Sequence, residues 1–142
     1  MPDYTKEKVW EATFYIPPIA KQGVSYGKFG PYTPTAKKKY TKKLRGLMNK
    51  AGCPKDLSGK FMLEGVFAFP FRKKESKEDL ERGWAFHTVR PDRDNLEKPV
   101  QDALDKYVIK DDSQLCIGLF YKIRTETPFI LLKLYRISEK CN

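Results

Sequence analysis

Residues 9–16 alternate Trp10, Ala12, Phe14 and Ile16 with Glu11, Thr13 and Tyr15, the two-residue period of a strand with one buried face. Pro17-Pro18 ends it. Residues 20–32 interleave Gly23, Gly27 and Gly30 with Lys21, Tyr26, Lys28, Phe29 and Tyr32, which predicts a loop carrying basic and aromatic side chains. Thr33 is then suited to cap a helix with Pro34 in its first turn. Ala36, Tyr40, Leu44, Leu47, Met48 and Ala51 recur at helical spacing until Gly52 stops the run. The opposite face of this helix holds Lys37, Lys38, Lys39, Lys42, Lys43 and Arg45.

Alternation returns over residues 61–69, with Phe61, Leu63, Phe67 and Phe69 on one side, and residues 84–89 read as a short strand. Between them, residues 71–83 read as a charged linker. From Leu96 the positions Leu96, Val100, Ala103, Leu104 and Tyr107 share a helical face, and residues 115–123 alternate as a strand. Residues 129–137 are apolar and β-branched, and the Thr125-Glu126-Thr127-Pro128 turn predicts that they close a final antiparallel hairpin with that strand. The order is that of a mixed α+β protein without repeats.

At 142 residues the chain can bury one core, so a single domain over 1–142 is expected. Lys and Arg number 28 against 18 Asp and Glu, and the resulting net charge of +10 favours a polyanionic partner such as nucleic acid. Lysine-rich helix faces are commonly just solvated, so the basic face of the first helix reads equally as surface or as a phosphate-backbone contact. No apolar run approaches a membrane span, and the charged start does not resemble a signal peptide, so a cytoplasmic, non-membrane protein is expected. Cys53, Cys116 and Cys141 are widely separated and read as ordinary reduced cysteines.

Residues 90–114 reverse the local charge. With Asp94 as N-cap, Glu97 stands three positions on as in a capping box, and Asp94, Lys98, Asp102 and Asp105 project from the polar side of the helix. Asp92 precedes it, and Asp111 and Asp112 stand where the chain turns into the next strand. Should folding bring these carboxylates together, their hard oxygens suit Mg2+ or Mn2+ and phosphodiester hydrolysis, with Lys98 adding positive charge. Taken singly, each aspartate reads as well as a cap or a turn residue, and Lys98 as a surface ion-pair partner. His87 is more readily structural than a general base. Pro99 removes one helical amide and predicts a bent first turn.

Asp92, Asp94, Asn95, Lys98, Asp102-Ala103-Leu104 and Asp111-Asp112 together resemble the signature of the RusA family of Holliday junction resolvases. The Pro17-Pro18 exit, the Tyr32-Thr33-Pro34 segment and the last strands match more loosely. The resemblance implies an α+β fold with a mixed, largely antiparallel sheet packed against two main helices. It implies that Asp92, Asp94 and Asp112 bind metal and act in catalysis with Lys98, that Asn95 and Asp111 support them, and that Mg2+, with Mn2+ as a substitute, is the cofactor. It further implies a homodimer making paired nicks in four-way DNA, a branched substrate held in part by basic residues such as Lys21, Lys28, Lys37, Lys38 and Arg90. Pro91 stands where some relatives carry a basic residue, and residues 72–82 are longer than usual. The competing readings are a non-catalytic branched-DNA-binding protein and an RNA-binding protein or ribonuclease, the latter because the aromatic loop is suited to base stacking.

Overall fold

The computed structural model describes residues 1–20, 25–27, 30–32 and 35–141, with side chains described outside 21–37. Its centre is a five-stranded mixed sheet built from β1 (Tyr4–Phe14), β4 (Phe61–Pro70), β5 (Trp84–Phe86), β6 (Leu115–Thr125) and β7 (Phe129–Glu139), in the order β1-β7-β4-β6-β5. Only the β4–β6 pair is parallel; β1–β7, β4–β7 and β5–β6 are antiparallel. The mixed, largely antiparallel sheet expected from the resemblance is therefore present.

The final hairpin is not. The turn after Thr125 connects β6 to β7, but β4 lies between them, parallel to β6 and antiparallel to β7. The physical reason is the composition of β4, whose sequence FMLEGVFAFP is apolar on both faces and buried along most of its length. Such a strand gains most by pairing on both edges in the middle of a sheet, and that outweighs the local pairing a short turn favours.

Helices α1 (Thr35–Lys50) and α3 (Arg93–Leu104) pack on one face of the sheet and on each other. Leu44 and Met48 from α1 meet Leu96, Val100, Ala103 and Leu104 from α3 over Trp10, Phe14, Phe61, Leu63, Phe67, Phe120, Ile130, Leu132 and Leu134. Phe120 lies stacked on Phe67 across from Gly65, where a Cβ would come within 2.8 Å of its ring. Gly52 ends α1 at a φ of 71°, as expected. Arg45, grouped with the lysines by spacing, is instead half-buried against α3.

The expectations for 20–32, 71–83 and 84–89 need correction. The expected loop at 20–32 contains a small antiparallel ribbon, β2 (Ser25–Gly27) with β3 (Gly30–Tyr32). The proposed Thr33-Pro34 cap lies outside the described residues. The charged linker carries α2 (Lys77–Arg82), capped by the Ser76 hydroxyl, which accepts from the Asp79 amide, and ended by left-handed Gly83. This helix buries no residue, so no apolar period announced it. Ahead of it, the carboxylate of Glu75 pairs with the buried guanidinium of Arg124 at 3.0 Å, which also donates to the Phe86 carbonyl. The strand expected over 84–89 stops at Phe86, where the side chains described below divert the chain toward α3.

Candidate metal centre

Helix α3 begins at Arg93, two residues earlier than expected, with Asp92 and not Asp94 at the N-cap. The Asp92 carboxylate makes no capping hydrogen bond, and Asp94 lies inside the first turn, so the anticipated capping box of Asp94 and Glu97 is absent. Glu97 instead pairs with Arg93 at 3.9 Å, and burial raises its pKa. Asp92 and Asp94 are both exposed. Pro99 is accommodated within a helix that runs unbroken from Arg93 to Leu104, its ring buried in the core.

At the other end of α3 the chain reverses. Lys106 takes up a left-handed φ of 56°, Tyr107 and Val108 give their carbonyls to Asp56 and Leu57, and the Lys110 amide returns to Leu57. This tethered excursion brings Asp111 and Asp112 back beside Asp105. Asp111 caps a 3-10 turn, Asp112–Gln114: its carboxylate accepts from the Ser113 amide at 2.9 Å, and the Gln114 side chain accepts from the Asp111 amide. Gln114 also donates to the Gly59 carbonyl, which fastens the turn to the loop before β4. The Asp112 amide donates to Asp105 Oδ1 at 2.8 Å.

The result is a group of carboxylates, Asp105, Asp111 and Asp112, each offering an oxygen within 4.8 Å of the others. Lys98 reaches into it from the middle of α3, with Nζ 3.0 Å from Asp102 Oδ1 and 3.8 Å from Asp112 Oδ2. The hydrogen bond to Asp102, with the field of Asp112 and Asp105, raises the Lys98 pKa, so it stays an ammonium. The Ser113 contacts hold the Asp111 carboxyl below its ordinary range, so it stays ionised. A concentration of negative oxygens in a chain of net charge +10 is the arrangement a hard divalent cation relieves. Oxygen donors with no thiol or imidazole among them fit Mg2+ or Mn2+ and do not fit zinc.

Of the residues singled out from sequence, the structure brings Asp111, Asp112 and Lys98 together and adds Asp105. Asp92 and Asp94 stand toward the opposite end of α3, whose 12 residues rise about 18 Å. Asp94, Lys98 and Asp102 follow at successive four-residue steps, so one helix face carries acid, base and acid toward the cluster. Asn95 is half-buried beside them. Asp105 was readable only as a polar helix position; its role depends on the reversal at Lys106, which no short-range signal announced.

Arg45 secures this end of α3. Its guanidinium donates to the carbonyls of Ala103 at 3.0 Å, Asp102 at 3.3 Å and Asp105 at 2.9 Å, and lies over the Tyr107 ring. The three acceptors belong to the last turn, where helix carbonyls lack partners and the dipole favours a cation. Lys38 and Arg90 are exposed, whereas Lys21 and Lys28 and the side chain of Lys37 lie outside the described residues. His87 is buried, stacked on Phe69, and is not part of the carboxylate group.

Comparison with known proteins bears on this arrangement. The profile of the family described as Endodeoxyribonuclease RusA matches residues 16–135. A stretch of 65 residues is 37% identical to the uncharacterized protein YqaN of Bacillus subtilis (strain 168), covering 46% of this chain and 46% of YqaN. The chain thus spans about half the length of that curated relative. Among the described residues, no helix is long and apolar enough to cross a membrane.

Proposed function

Because this chain belongs to the RusA family of endodeoxyribonucleases, we propose that it is a metal-dependent nuclease that resolves Holliday junctions and related branched DNA in recombination and repair. The observation that carries the proposal is the convergence of Asp105, Asp111 and Asp112 under the ammonium of Lys98. In this reading Asp92, Asp94 and Asp112 are the metal-binding catalytic carboxylates, Lys98 is the catalytic lysine, and Asn95 and Asp111 support them. A bound Mg2+, or Mn2+ in its place, supplies Lewis-acid stabilisation of the reacting phosphate and a more acidic water. Lys98 contributes a fixed positive charge toward the phosphate oxygens, already oriented by Asp102, so little reorganisation accompanies reaction. Asp111, held by the Ser113 amide, keeps the Asp112 turn in place.

Exposed Lys38 and Arg90, with Lys21, Lys28 and Lys37, are assigned to the DNA backbone, whose phosphates account for the excess of basic residues. Paired nicks call for two active sites, and the proposal includes a homodimer acting in the cytoplasm. The sheet face turned away from α1 and α3 supports that pairing: it carries Leu119, Tyr121, Trp84 and Phe86, all exposed, on adjacent strands β6 and β5.

The test is gel cleavage of a synthetic four-way junction, with linear duplex as control, by the wild type and Asp112→Asn, with and without Mg2+. Symmetric nicking that needs the metal and disappears in Asp112→Asn, with junction binding retained, is the expected result. Tight binding without cutting in Mg2+ or Mn2+ would replace the nuclease reading with a branched-DNA-binding one.

A further inference from the structure

The segment that delivers Asp92 to the start of α3 is held by side chains of the sheet. Lys122 lies on the helix-side face of β6, the face that also presents Phe120 and Arg124. Its Nζ donates to the carbonyls of Val89 and Pro91, each at 2.8 Å. The carbonyl between them, that of Arg90, is 3.1 Å from Nε2 of His87, and the His87 amide donates to the Lys122 carbonyl. Of three consecutive carbonyls ahead of Asp92, two are thereby pinned to β6 by one ammonium and the third is held by His87, whose own amide is bonded to β6. Each Lys122 contact is charge-assisted, and such contacts fix a backbone more firmly than neutral ones. Asp92 has no capping bond of its own to orient it, so the anchor immediately before it decides where its carboxylate stands.

From this geometry we propose that Lys122 is a positioning residue for the reaction, fixing the Asp92–Asp94 end of α3 relative to strand β6, whose other end follows directly from Asp112. The inference rests on the reading of Asp92 as a catalytic carboxylate. Lys122 itself acts through the backbone and touches neither metal nor phosphate. Leu96, Pro99 and Val100 seat the body of the helix in the core, but Asp92 precedes its first buried position, so loss of the anchor leaves that carboxylate to drift, and a displacement of about 1 Å is enough to cost two orders of magnitude in rate.

The experiment compares Lys122→Met, Lys122→Arg and Asp92→Asn with the wild type in steady-state junction cleavage, together with amide hydrogen exchange of residues 86–95. For Lys122→Met the expectation is a kcat lowered at least about tenfold with KM unchanged, and amides of this segment exchanging at least about tenfold faster. Lys122→Arg, which keeps several donors at similar reach, is expected to restore both to within about threefold. Where Asp92→Asn has lost cutting, a Lys122→Met enzyme with wild-type kcat overturns the proposal whatever its exchange, and so does a raised KM at unchanged kcat, which would make Lys122 a DNA contact. Should Asp92→Asn cut at the wild-type rate, the reading of Asp92 falls; exchange then decides the anchor, unchanged rates overturning it and faster rates upholding it.

Discussion

Replacement of Arg45 by alanine removes the three hydrogen bonds that close the last turn of α3, to Ala103, Asp102 and Asp105. A hydrogen bond from a charged donor contributes about 1.5–3 kcal/mol. The three share one guanidinium and water can reach the half-buried Asp102 and Asp105, so their sum is an overestimate; a loss of about 2–4 kcal/mol is expected. With a urea m-value of about 1.5 kcal/mol per molar, usual for a small domain, the unfolding midpoint falls by roughly 1.3–2.7 M. Lys42→Ala, on the exposed face of the same helix, is the control and is expected to change stability by less than about 0.5 kcal/mol. Mg2+ titration of the Arg45→Ala protein should also show weaker binding, because Asp105, freed at its carbonyl, no longer holds the Asp112 amide in place. Equal urea midpoints for the Arg45→Ala and Lys42→Ala proteins would refute the reasoning and return Arg45 to the solvated basic face.

Glu75→Ala leaves the buried Arg124 guanidinium without its carboxylate and should lower the melting temperature by at least about 5 °C, against little change for the exposed Glu78→Ala. Arg124 holds the Glu75 carboxyl below its ordinary value of 4.5, so this stabilisation is complete above pH 4.5 and is lost as pH falls through the lower, folded value; urea midpoints measured below pH 4.5 check it. Burial, with the nearby charges of Lys122 and Arg124, lowers the pKa of His87, the single histidine of the chain. Folding is therefore favoured by the neutral ring: stability is full above pH 6.5, declines as pH falls from 6.5 toward the folded pKa, and levels off below it. Loss of that decline in His87→Phe, measured by chemical denaturation between pH 5 and 7.5, is the expected outcome, and its persistence would assign the titration elsewhere.

The strands β1, β4, β6 and β7 and the helices α1 and α3 were readable because each pairs an apolar period with a defined stop, as at Pro17, Gly52 and the turn after Thr125. What pattern could not supply was adjacency. Sequence neighbours with a short turn between them favour a hairpin, yet β4 separates β6 from β7; the apolar composition of β4, interrupted only by Glu64, was the one local sign that it needed two partners. Spacing placed Arg45 among lysines because a helical period reports the face of a helix and not what approaches that face. At the site, the residue types were legible and their grouping was not. Asp111, Asp112 and Lys98 converge, while Asp105 enters through the left-handed turn at Lys106, and Asp92 and Asp94 stand at the start of α3, outside that group. Helix α2 was missed because its caps, Ser76 and Gly83, bracket a segment with no buried side to betray it.

The placement of β7 between β1 and β4 also sets the order in which this sheet can assemble. Tyr4 is paired with Glu139 and Phe14 with Ile130, so β1 leaves the ribosome long before β7, the strand it pairs with. The central strand β4 likewise waits for both β6 and β7. Closing such long loops before any ladder forms is slow, and the waiting strands display apolar faces and unpaired edges throughout. A nascent chain of this design depends on β7 for two of the four strand pairings in the sheet, including the single pairing of β1, so the interval before β7 emerges is when it is most exposed to aggregation and to capture by chaperones.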